Sequence, residues 1–255
     1  MLQKFETVAS QLIRATRTPE RLRYLLEATT GLREGEVCAL RFSSLATEDG
    51  IPVVRVRETL ALVGPKGWGT LKAPKTRANK RNVPLHSRAL AALDAWKAHG
   101  WRAYVGRDPT DDDPILPDRD GTPWRPANAG ARFRRALERA GLPTTFAGAK
   151  LDTRCLRRSF ATWLEGHGVP GDHIDRLLGH TRPSIRAKHY SGADYAALSR
   201  AVETIRLDLG DGEGGESSGE SSNGSGVPSV AARKPRPTKA NSASISGAAS
   251  RTGCS

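Results

Sequence analysis

Residues 156–180 read LRRSFATWLEGHGVPGDHIDRLLGH, and this stretch contains two consecutive helical patterns. The apolar residues of each pattern recur at helical spacing, at Leu156, Phe160, Trp163 and Leu164 and then at Ile174, Leu177 and Leu178. Gly179 follows the second pattern, and a glycine in that place ends a helix and projects His180 from its end. The stretch therefore predicts two helices, the second of which presents a histidine at its C-terminal end.

The preceding part of the chain adds helices and a few short strands. A helix is predicted to begin at Thr18 and Pro19, which suit an N-cap and a first helical position, and to end at Gly31. Short β-branched or apolar runs that are interrupted by Gly and Pro predict a small antiparallel sheet, at residues 51–59, 60–63 and 82–85. The predicted fold class is mainly α with a small antiparallel β-sheet, that is, α+β.

The C-terminal part of the chain differs in composition from the rest. Residues 210–255 are rich in Gly, Ser and Pro and lack aromatic residues, so they cannot bury enough apolar surface to offset the loss of chain entropy. We therefore expect a folded domain over residues 1–209 and a disordered tail over residues 210–255. The whole chain of 255 residues has a formal net charge of +13, and +12 of it belongs to the predicted domain.

This charge favours a polyanionic partner, nucleic acid first, although a solvated basic surface is the alternative. No apolar run approaches the ~20 residues that a membrane span requires, so no membrane partner is expected. Cys38, Cys155 and Cys254 are widely spaced, which argues against a disulfide framework or a zinc site. The sequence predicts a soluble protein of a reducing compartment, that is, the cytoplasm.

Two pairs of residues could bind an anion. Glu36 lies one helical turn after Arg33, so its carboxylate could orient that guanidinium towards a phosphate, although a weak surface pair would have the same spacing. Arg154 and Arg157 lie three residues apart, on one face of a helix. Like charges at this spacing destabilise a helix unless an anion lies between them, which favours an anion site over a solvated face. His180 and Tyr190 alone support no function.

The order and spacing of these residues together are specific. The series Arg33, Lys75, Arg154-x-x-Arg157, Gly-His180 and Tyr190 resembles the catalytic domain of the tyrosine recombinases, the phage integrase family. The segment TGLREGEVCALRF, residues 30–42, resembles the first arginine box of that family, and residues 156–180 resemble its second box. The resemblance extends over roughly residues 21–196.

The resemblance implies a DNA breaking and rejoining enzyme that uses neither metal nor nucleotide cofactor. Tyr190 would attack the scissile phosphate and form a 3′-phosphotyrosyl link, while Arg33 and Arg157 would hold the non-bridging oxygens. His180 would donate a further hydrogen bond or orient the phosphate. Lys75, on a β-hairpin, would protonate the leaving 5′-oxygen.

Alternatives to these assignments lie nearby in the sequence. Lys72 and Lys80 are on the same predicted hairpin as Lys75. Tyr195 is a rival nucleophile because the interval from His180 to Tyr190 is about one residue longer than the common pattern. The family usually has His or Lys where this chain has Arg154, which cannot act as a general base but could bind the phosphate.

The first arginine box begins so early that only one helix is expected before it. The resemblance would place a helical core-binding domain there, and we expect it to be absent. The expected partners are double-stranded DNA, further copies of this chain in a homotetramer on DNA, and an accessory protein or a separate N-terminal domain. Two alternatives remain for the function: a non-cleaving DNA-binding module or truncated recombinase remnant, and DNA relaxation like that of a type IB topoisomerase.

Overall fold

A computed structural model describes residues 2–63, 68–72, 80–124, 129–146, 149–180 and 194–210, all of which belong to one structural unit, Met1–Gly214. Lys75, Tyr190 and the predicted disordered tail from residue 211 onwards lie outside the described residues. The α-helices are α1 Leu2–Arg14, α2 Glu20–Thr30, α3 Glu34–Cys38, α4 Ser87–Ala95, α5 Trp101–Val105, α6 Ala129–Arg139, α7 Cys155–Gly166, α8 Gly171–Leu178 and α9 Tyr195–Glu203. A π-helical turn, Trp96–Gly100, joins α4 to α5, and a 3₁₀ turn spans Phe42–Ser44.

The strands form small antiparallel sheets. They are β1 Leu45–Glu48, β2 Ile51–Val56, β3 Thr59–Val63, β4 Trp68–Lys72, β5 Arg81–Pro84, β6 Thr145–Phe146 and β7 Ala149–Lys150. In the main sheet β2 lies between β1 and β5, while β3 pairs with β4 and β6 with β7. The described part of the chain confirms the predicted fold class, mainly α with a small antiparallel sheet.

Helix α2 forms the centre of the core. Its residues Leu22, Leu25 and Leu26 are buried, and it packs against α1, α4 and α7. Gly31 ends it with a φ of 62°, a left-handed conformation that glycine adopts most readily. The predicted end is therefore confirmed. The start differs by one residue, because Pro19 takes the N-cap position and the helix begins at Glu20.

Two helices precede Arg33, whereas the sequence predicted one. The additional helix, α1, buries Ala9, Leu12 and Ile13 against α2. The apolar residues of α1 recur at helical spacing along the whole helix, a pattern that the sequence analysis did not use. Among the described helices, none is long and apolar enough to cross a membrane.

The core brings together the ends of elements that are distant in sequence. Helix α7 packs on α2 and on α8, and α8 packs on strand β5. Phe160 of α7 and Leu178 of α8 lie against Gly31, where an added Cβ would come within 2.5 Å of Phe160 Cδ1 and 2.9 Å of Leu178 Cδ2. The C-terminal ends of α2 and α8 therefore meet beside the first turns of α7, and this junction holds the candidate site.

Candidate functional site

Arg157 joins three helices at this junction. It lies in the first turn of α7, and its Nη1 donates to the carbonyl oxygen of Gly31 at 2.6 Å while its Nη2 donates to that of Leu178 at 2.7 Å. Both carbonyls lie at helix C-termini, where the last C=O groups lack helical partners and the helix dipole is negative. The guanidinium therefore satisfies two helix ends and is held in one orientation.

His180 follows directly on the end of α8. Gly179 adopts a left-handed conformation with a φ of 70°, and this turns the chain so that the backbone N–H of His180 donates to the carbonyl oxygen of Asp175 at 2.9 Å. The imidazole Nε2 lies 3.1 Å from Nη2 of Arg157, and Nδ1 lies 3.3 Å from Oδ1 of Asp175. The predicted projection of the histidine from a Gly-terminated helix is therefore what the structure shows.

Arg33 and Glu36 form the pair that the sequence suggested. Arg33 caps the N-terminus of α3, where its backbone N–H donates to Oε2 of Glu36 at 2.8 Å and its Nη1 donates to Oε1 at 3.0 Å. The Arg33 side chain is 45% exposed, whereas that of Glu36 is 5% exposed. The carboxylate is thus a buried support, and the guanidinium reaches from it to the surface.

The sequence analysis missed Arg81, which supports the same carboxylate. Arg81 begins β5 and is buried; its Nη1 and Nη2 donate to the two oxygens of Glu36 at 3.1 and 2.9 Å. Its Nε donates to the carbonyl oxygen of Leu177 at 2.7 Å. Arg81 therefore ties α3 to the end of α8. A weak signal exists in the sequence, because Arg81 directly precedes the predicted strand at residues 82–85, but its place in a basic segment equally predicts a solvated position.

A hydrogen bond links the segment just before α7 to α3. Thr153, two residues before α7, donates its hydroxyl to Oε2 of Glu34 at 2.8 Å. Glu34 is the first residue of α3 and directly follows Arg33. This hydrogen bond therefore links the segment just before the helix that carries Arg157 to the helix that Arg33 caps.

Burial and neighbouring positive charges lower the pKa values of Arg157 and His180. Burial lowers the pKa of Arg157 to about 10, and the charges of Arg33 and Arg81 add to this effect. Burial also lowers the pKa of His180, as does the charge of Arg157, and the hydrogen bond that the ring donates to Asp175 opposes the shift only in part. Arg157 thus stays protonated at pH 7, while His180 is neutral there.

The pKa of Glu36 depends on its burial and on the arginines that surround it. Burial raises its pKa, but the hydrogen bonds and charges of Arg81 and Arg33 outweigh burial and lower the pKa overall. Glu36 is therefore a carboxylate at pH 7. It neutralises part of the charge of the guanidinium groups and leaves the cluster with a net positive charge.

Arg154 lies at the edge of this cluster rather than within it. It occupies the N-cap of α7, just before the first helical residue, and its backbone N–H donates to Oδ1 of Asp152 at 3.0 Å. Its side chain is exposed and, among the described residues, takes part in no hydrogen bond or ion pair. It lies about one turn before Arg157, as the sequence indicated, and its binding of a phosphate stays a prediction.

Lys75 and Tyr190, the predicted acid and nucleophile, lie outside the described residues, and their roles stay predictions. The rival nucleophile, Tyr195, is described. It begins α9, is partly buried, and its hydroxyl accepts a hydrogen bond from Nδ2 of Asn82 at 3.2 Å. Asn82 follows Arg81 in β5, so the Tyr195 hydroxyl is part of the contact between α9 and the main sheet.

The arrangement can bind an oxyanion. Guanidinium groups bind phosphate through paired N–H donors, and here two of them approach from separate elements beside a histidine. The sequence predicted no cofactor. Within the described ranges, no group of three or more His, Cys, Asp or Glu side chains could hold a metal ion.

Known proteins share this sequence pattern and this fold. Residues 5–197 match the phage integrase family. The chain is similar to a tyrosine recombinase XerC-like protein of Caldanaerobacter subterraneus subsp. tengcongensis, with 28% identity over 71% of this chain and 48% of the relative. It is also similar to the tyrosine recombinase XerA of Thermococcus onnurineus, with 29% identity over 77% of this chain and 58% of the relative. The chain thus spans about half the length of these curated relatives.

The fold has solved counterparts. The Tn1549 transposon integrase, in complex with transposon right end DNA, aligns with a TM-score of 0.55 and 19% identity over 80% of this chain and 64% of that one. The family match covers most of the chain, and the matched range contains Arg33, Arg157, His180 and Tyr190, whose individual roles stay predictions. This chain belongs to the phage integrase family.

Proposed function

We propose that this chain breaks and rejoins double-stranded DNA at specific sites through a 3′-phosphotyrosyl intermediate, without metal or ATP. The observation that carries the proposal is that Arg33, held by the buried Glu36, and Arg157, in contact with His180, lie close enough for their charges to interact, in a chain of the phage integrase family. Its relatives are named tyrosine recombinases and integrases, so neither a non-cleaving module nor DNA relaxation is favoured.

The electrostatics of the cluster support a role in the transition state. Negative charge builds on the non-bridging oxygens when a nucleophile adds to phosphorus, and fixed donors stabilise that charge more than they stabilise the substrate. Arg157 is fixed by two backbone carbonyls, and its pKa is lowered to about 10 by burial and by Arg33. A bound phosphodiester would relieve this repulsion, so the site is organised for an anion before DNA arrives.

Two steps of the proposed reaction fall to residues outside the described ranges. Tyr190 gives up its phenolic proton to water and attacks phosphorus through the phenolic oxygen, the bond to the 5′-oxygen breaks, and Lys75 supplies the proton that the leaving oxygen takes. The new 3′-phosphotyrosyl ester conserves the energy of the broken phosphodiester bond, so attack by a 5′-hydroxyl of another strand reverses the step without ATP.

The proposed assembly follows from this reversal, because exchange needs the strands of two duplexes. We propose that the chain acts as a homotetramer on DNA, with an accessory protein or a separate N-terminal domain as a further partner. We also propose that it acts in the cytoplasm, associated with the nucleoid. The excess of basic residues suits contact with the DNA backbone, and affinity should therefore fall steeply as salt increases. Sedimentation of the protein on a selected DNA site would give the number of subunits.

Covalent capture tests the proposal. A pool of duplexes with randomised sequence and a nick near the randomised segment is incubated with the chain and then separated under denaturing conditions. A protein–DNA adduct that is lost in Tyr190→Phe and kept in Tyr195→Phe supports the proposal. Salt-sensitive binding of the pool with no adduct would overturn it, and loss of the adduct only in Tyr195→Phe would assign the nucleophile to Tyr195.

Lys75 can be tested with the selected site. A bridging sulfur at the scissile 5′ position makes a leaving group that needs no proton, because a thiol is far more acidic than an alcohol. Lys75→Ala should therefore lose cleavage of the ordinary duplex and keep cleavage of the sulfur-substituted one. Lys72→Ala and Lys80→Ala are the matched controls. The same selective loss in either of them would assign the protonation of the leaving oxygen to that lysine instead of Lys75.

A further inference from the structure

Asp175 is a buried carboxylate to which neither the sequence pattern nor the proposed reaction gives a role. It lies in α8, five residues before His180, and its side chain is 12% exposed. Its Oδ1 lies 3.3 Å from Nδ1 of His180, and its backbone oxygen accepts the N–H of the same histidine at 2.9 Å. The residue therefore holds both the main chain and the ring of His180.

The contacts of the ring define one tautomer. A carboxylate only accepts hydrogen bonds, so the hydrogen between Asp175 and His180 belongs to Nδ1. A guanidinium only donates, so Nε2 of the same ring accepts from Nη2 of Arg157, which lies at 3.1 Å. Both contacts are satisfied together only by the neutral ring that carries its hydrogen on Nδ1.

We propose that Asp175 is a positioning residue that keeps His180 in the Nδ1–H tautomer, so that Nε2 helps to orient the Arg157 guanidinium before DNA binds. The proposal rests on the proposed function for its consequence in catalysis, but the tautomer itself does not depend on DNA. Asp175 acts through His180 and makes no contact of its own with the scissile phosphate.

Protonation of His180 removes this arrangement. A protonated ring carries hydrogen on both nitrogens, so Nε2 can no longer accept from Arg157. The charged groups that act on the ring are Asp175 from α8, Arg157 from α7 and Arg33 from the N-cap of α3. The two arginines disfavour the protonated ring and Asp175 favours it, which leaves the pKa of His180 below its ordinary value.

Two-bond proton–nitrogen correlation spectra of protein labelled with ¹⁵N-histidine measure the tautomer directly, without DNA. The His180 signals are identified by their loss in His180→Gln. At pH 7.5 we expect a protonated Nδ1 and an unprotonated Nε2. Asp175→Ala should increase the Nε2–H form and lower the pKa of His180 further, whereas Asp175→Asn should keep the tautomer because its amide oxygen still accepts from Nδ1–H. Asp172→Asn, an exposed change in the same helix, should leave the spectrum as it is in the wild type.

Two results would overturn the positioning role: a wild-type ring protonated on Nε2, or the same tautomer in Asp175→Ala as in the wild type. With the selected duplex, Asp175→Ala should slow adduct formation roughly tenfold or more at saturating DNA, as loss of a carboxylate behind a metal-bound histidine does, with little change in DNA affinity. Asp175→Asn should recover most of that rate. Absence of the adduct in the wild type would contradict the proposed function, while the spectra would still decide the role of Asp175.

Discussion

Two Arg–Glu pairs lie within fourteen residues of one another, and each spans about one helical turn. In α2, Nε of Arg23 donates to Oε1 of Glu27 at 2.9 Å, and each side chain is 1% exposed. At α3, Nη1 of Arg33 donates to Oε1 of Glu36 at 3.0 Å, but the Arg33 side chain is 45% exposed. The same pair of residue types is therefore enclosed in one place and open to a ligand in the other.

The surroundings of each pair explain the difference. The enclosed pair is supported weakly: Arg23 Nη2 and Glu27 Oε2 are buried and lack hydrogen-bond partners in the described part of the chain, and Glu34 lies 3.8 Å from Arg23 Nη2. In the open pair, Arg81 holds both oxygens of Glu36. Glu36 therefore keeps a partner when Arg33 turns towards a phosphate, whereas neither member of the enclosed pair can leave the other.

The largest effect is expected from breaking the enclosed pair. Glu27→Leu leaves the Arg23 guanidinium buried, and arginine cannot lose its charge, so we expect the free energy of unfolding to fall by about 3–5 kcal/mol. Glu138→Leu, on the exposed face of α6, should change it by less than about 0.5 kcal/mol. Urea unfolding followed by circular dichroism measures both. Equal losses in the two variants would contradict the enclosed character of the pair.

The second-largest effect is expected when the Arg157 guanidinium, beside the open pair, is no longer held in one orientation. Arg157→Lys cannot bridge the carbonyls of Gly31 and Leu178, and we expect adduct formation on the selected duplex to slow by about two orders of magnitude, or ~3 kcal/mol. Arg158→Lys is the matched control, because Arg158 is exposed and pairs with Asp152. Similar rates in the two variants would show that Arg157 does not contact the reacting phosphate.

Gly31 separates the two pairs, and its replacement tests how closely the helices approach. Gly31→Ala combines a left-handed conformation with contact against Phe160, so it should destabilise the fold by about 2–4 kcal/mol. Gly141→Ala has a similar φ of 64° but nothing within 4 Å of the added Cβ, and should cost only about 1–2 kcal/mol. Thermal unfolding of both variants isolates the contact, and equal losses would show that α2, α7 and α8 do not meet tightly at Gly31.

The smallest effect is a difference in pH dependence between the two glutamates. Burial raises the pKa of Glu27 more than Arg23 lowers it, so stability from this residue falls as the pH rises above the unfolded value, about 4.3. The pKa of Glu36 is lowered overall, so its contribution is complete above that value and is lost as the pH falls through the folded pKa.

The two substitutions should therefore change the pH profile in opposite senses. Relative to the wild type, Glu36→Gln should flatten the loss of stability in acid, and Glu27→Gln should flatten the loss on the alkaline side of pH 4.3. Urea midpoints between pH 3 and pH 7 measure both slopes. Changes of the same sign would contradict the assigned pKa directions.

The sequence predicted the part of the fold that depends on local patterns. Gly31 and Gly179 marked helix ends, and both ends are where the pattern placed them because a left-handed residue after an apolar stripe stops a helix. Helix α1 was missed although its apolar residues recur at helical spacing, and what this pattern could not show is that the apolar face packs against both α2 and α7. Local patterns carry no information about such long-range packing.

The candidate site was predicted as a set of residue types but not as a supported structure. The spacing of Arg33 and Glu36 suggested a pair, yet the carboxylate of Glu36 is also held by Arg81, 45 residues away. The i,i+4 spacing of Arg23 and Glu27 is equally compatible with a surface pair, yet each of the two side chains is 1% exposed. Tertiary packing thus decides which charged pairs are structural, and the sequence alone does not show it.

The central claim is that the open pair binds the reacting phosphate while the enclosed pair maintains the fold. The most direct test is Arg33→Leu, measured for adduct formation on the selected duplex and for unfolding in urea. We predict that the adduct forms at least about 100-fold more slowly, since one fixed oxyanion donor is lost, while the free energy of unfolding changes by less than about 1 kcal/mol. Adduct formation at the wild-type rate, or a loss of stability as large as that of Glu27→Leu, would contradict the claim.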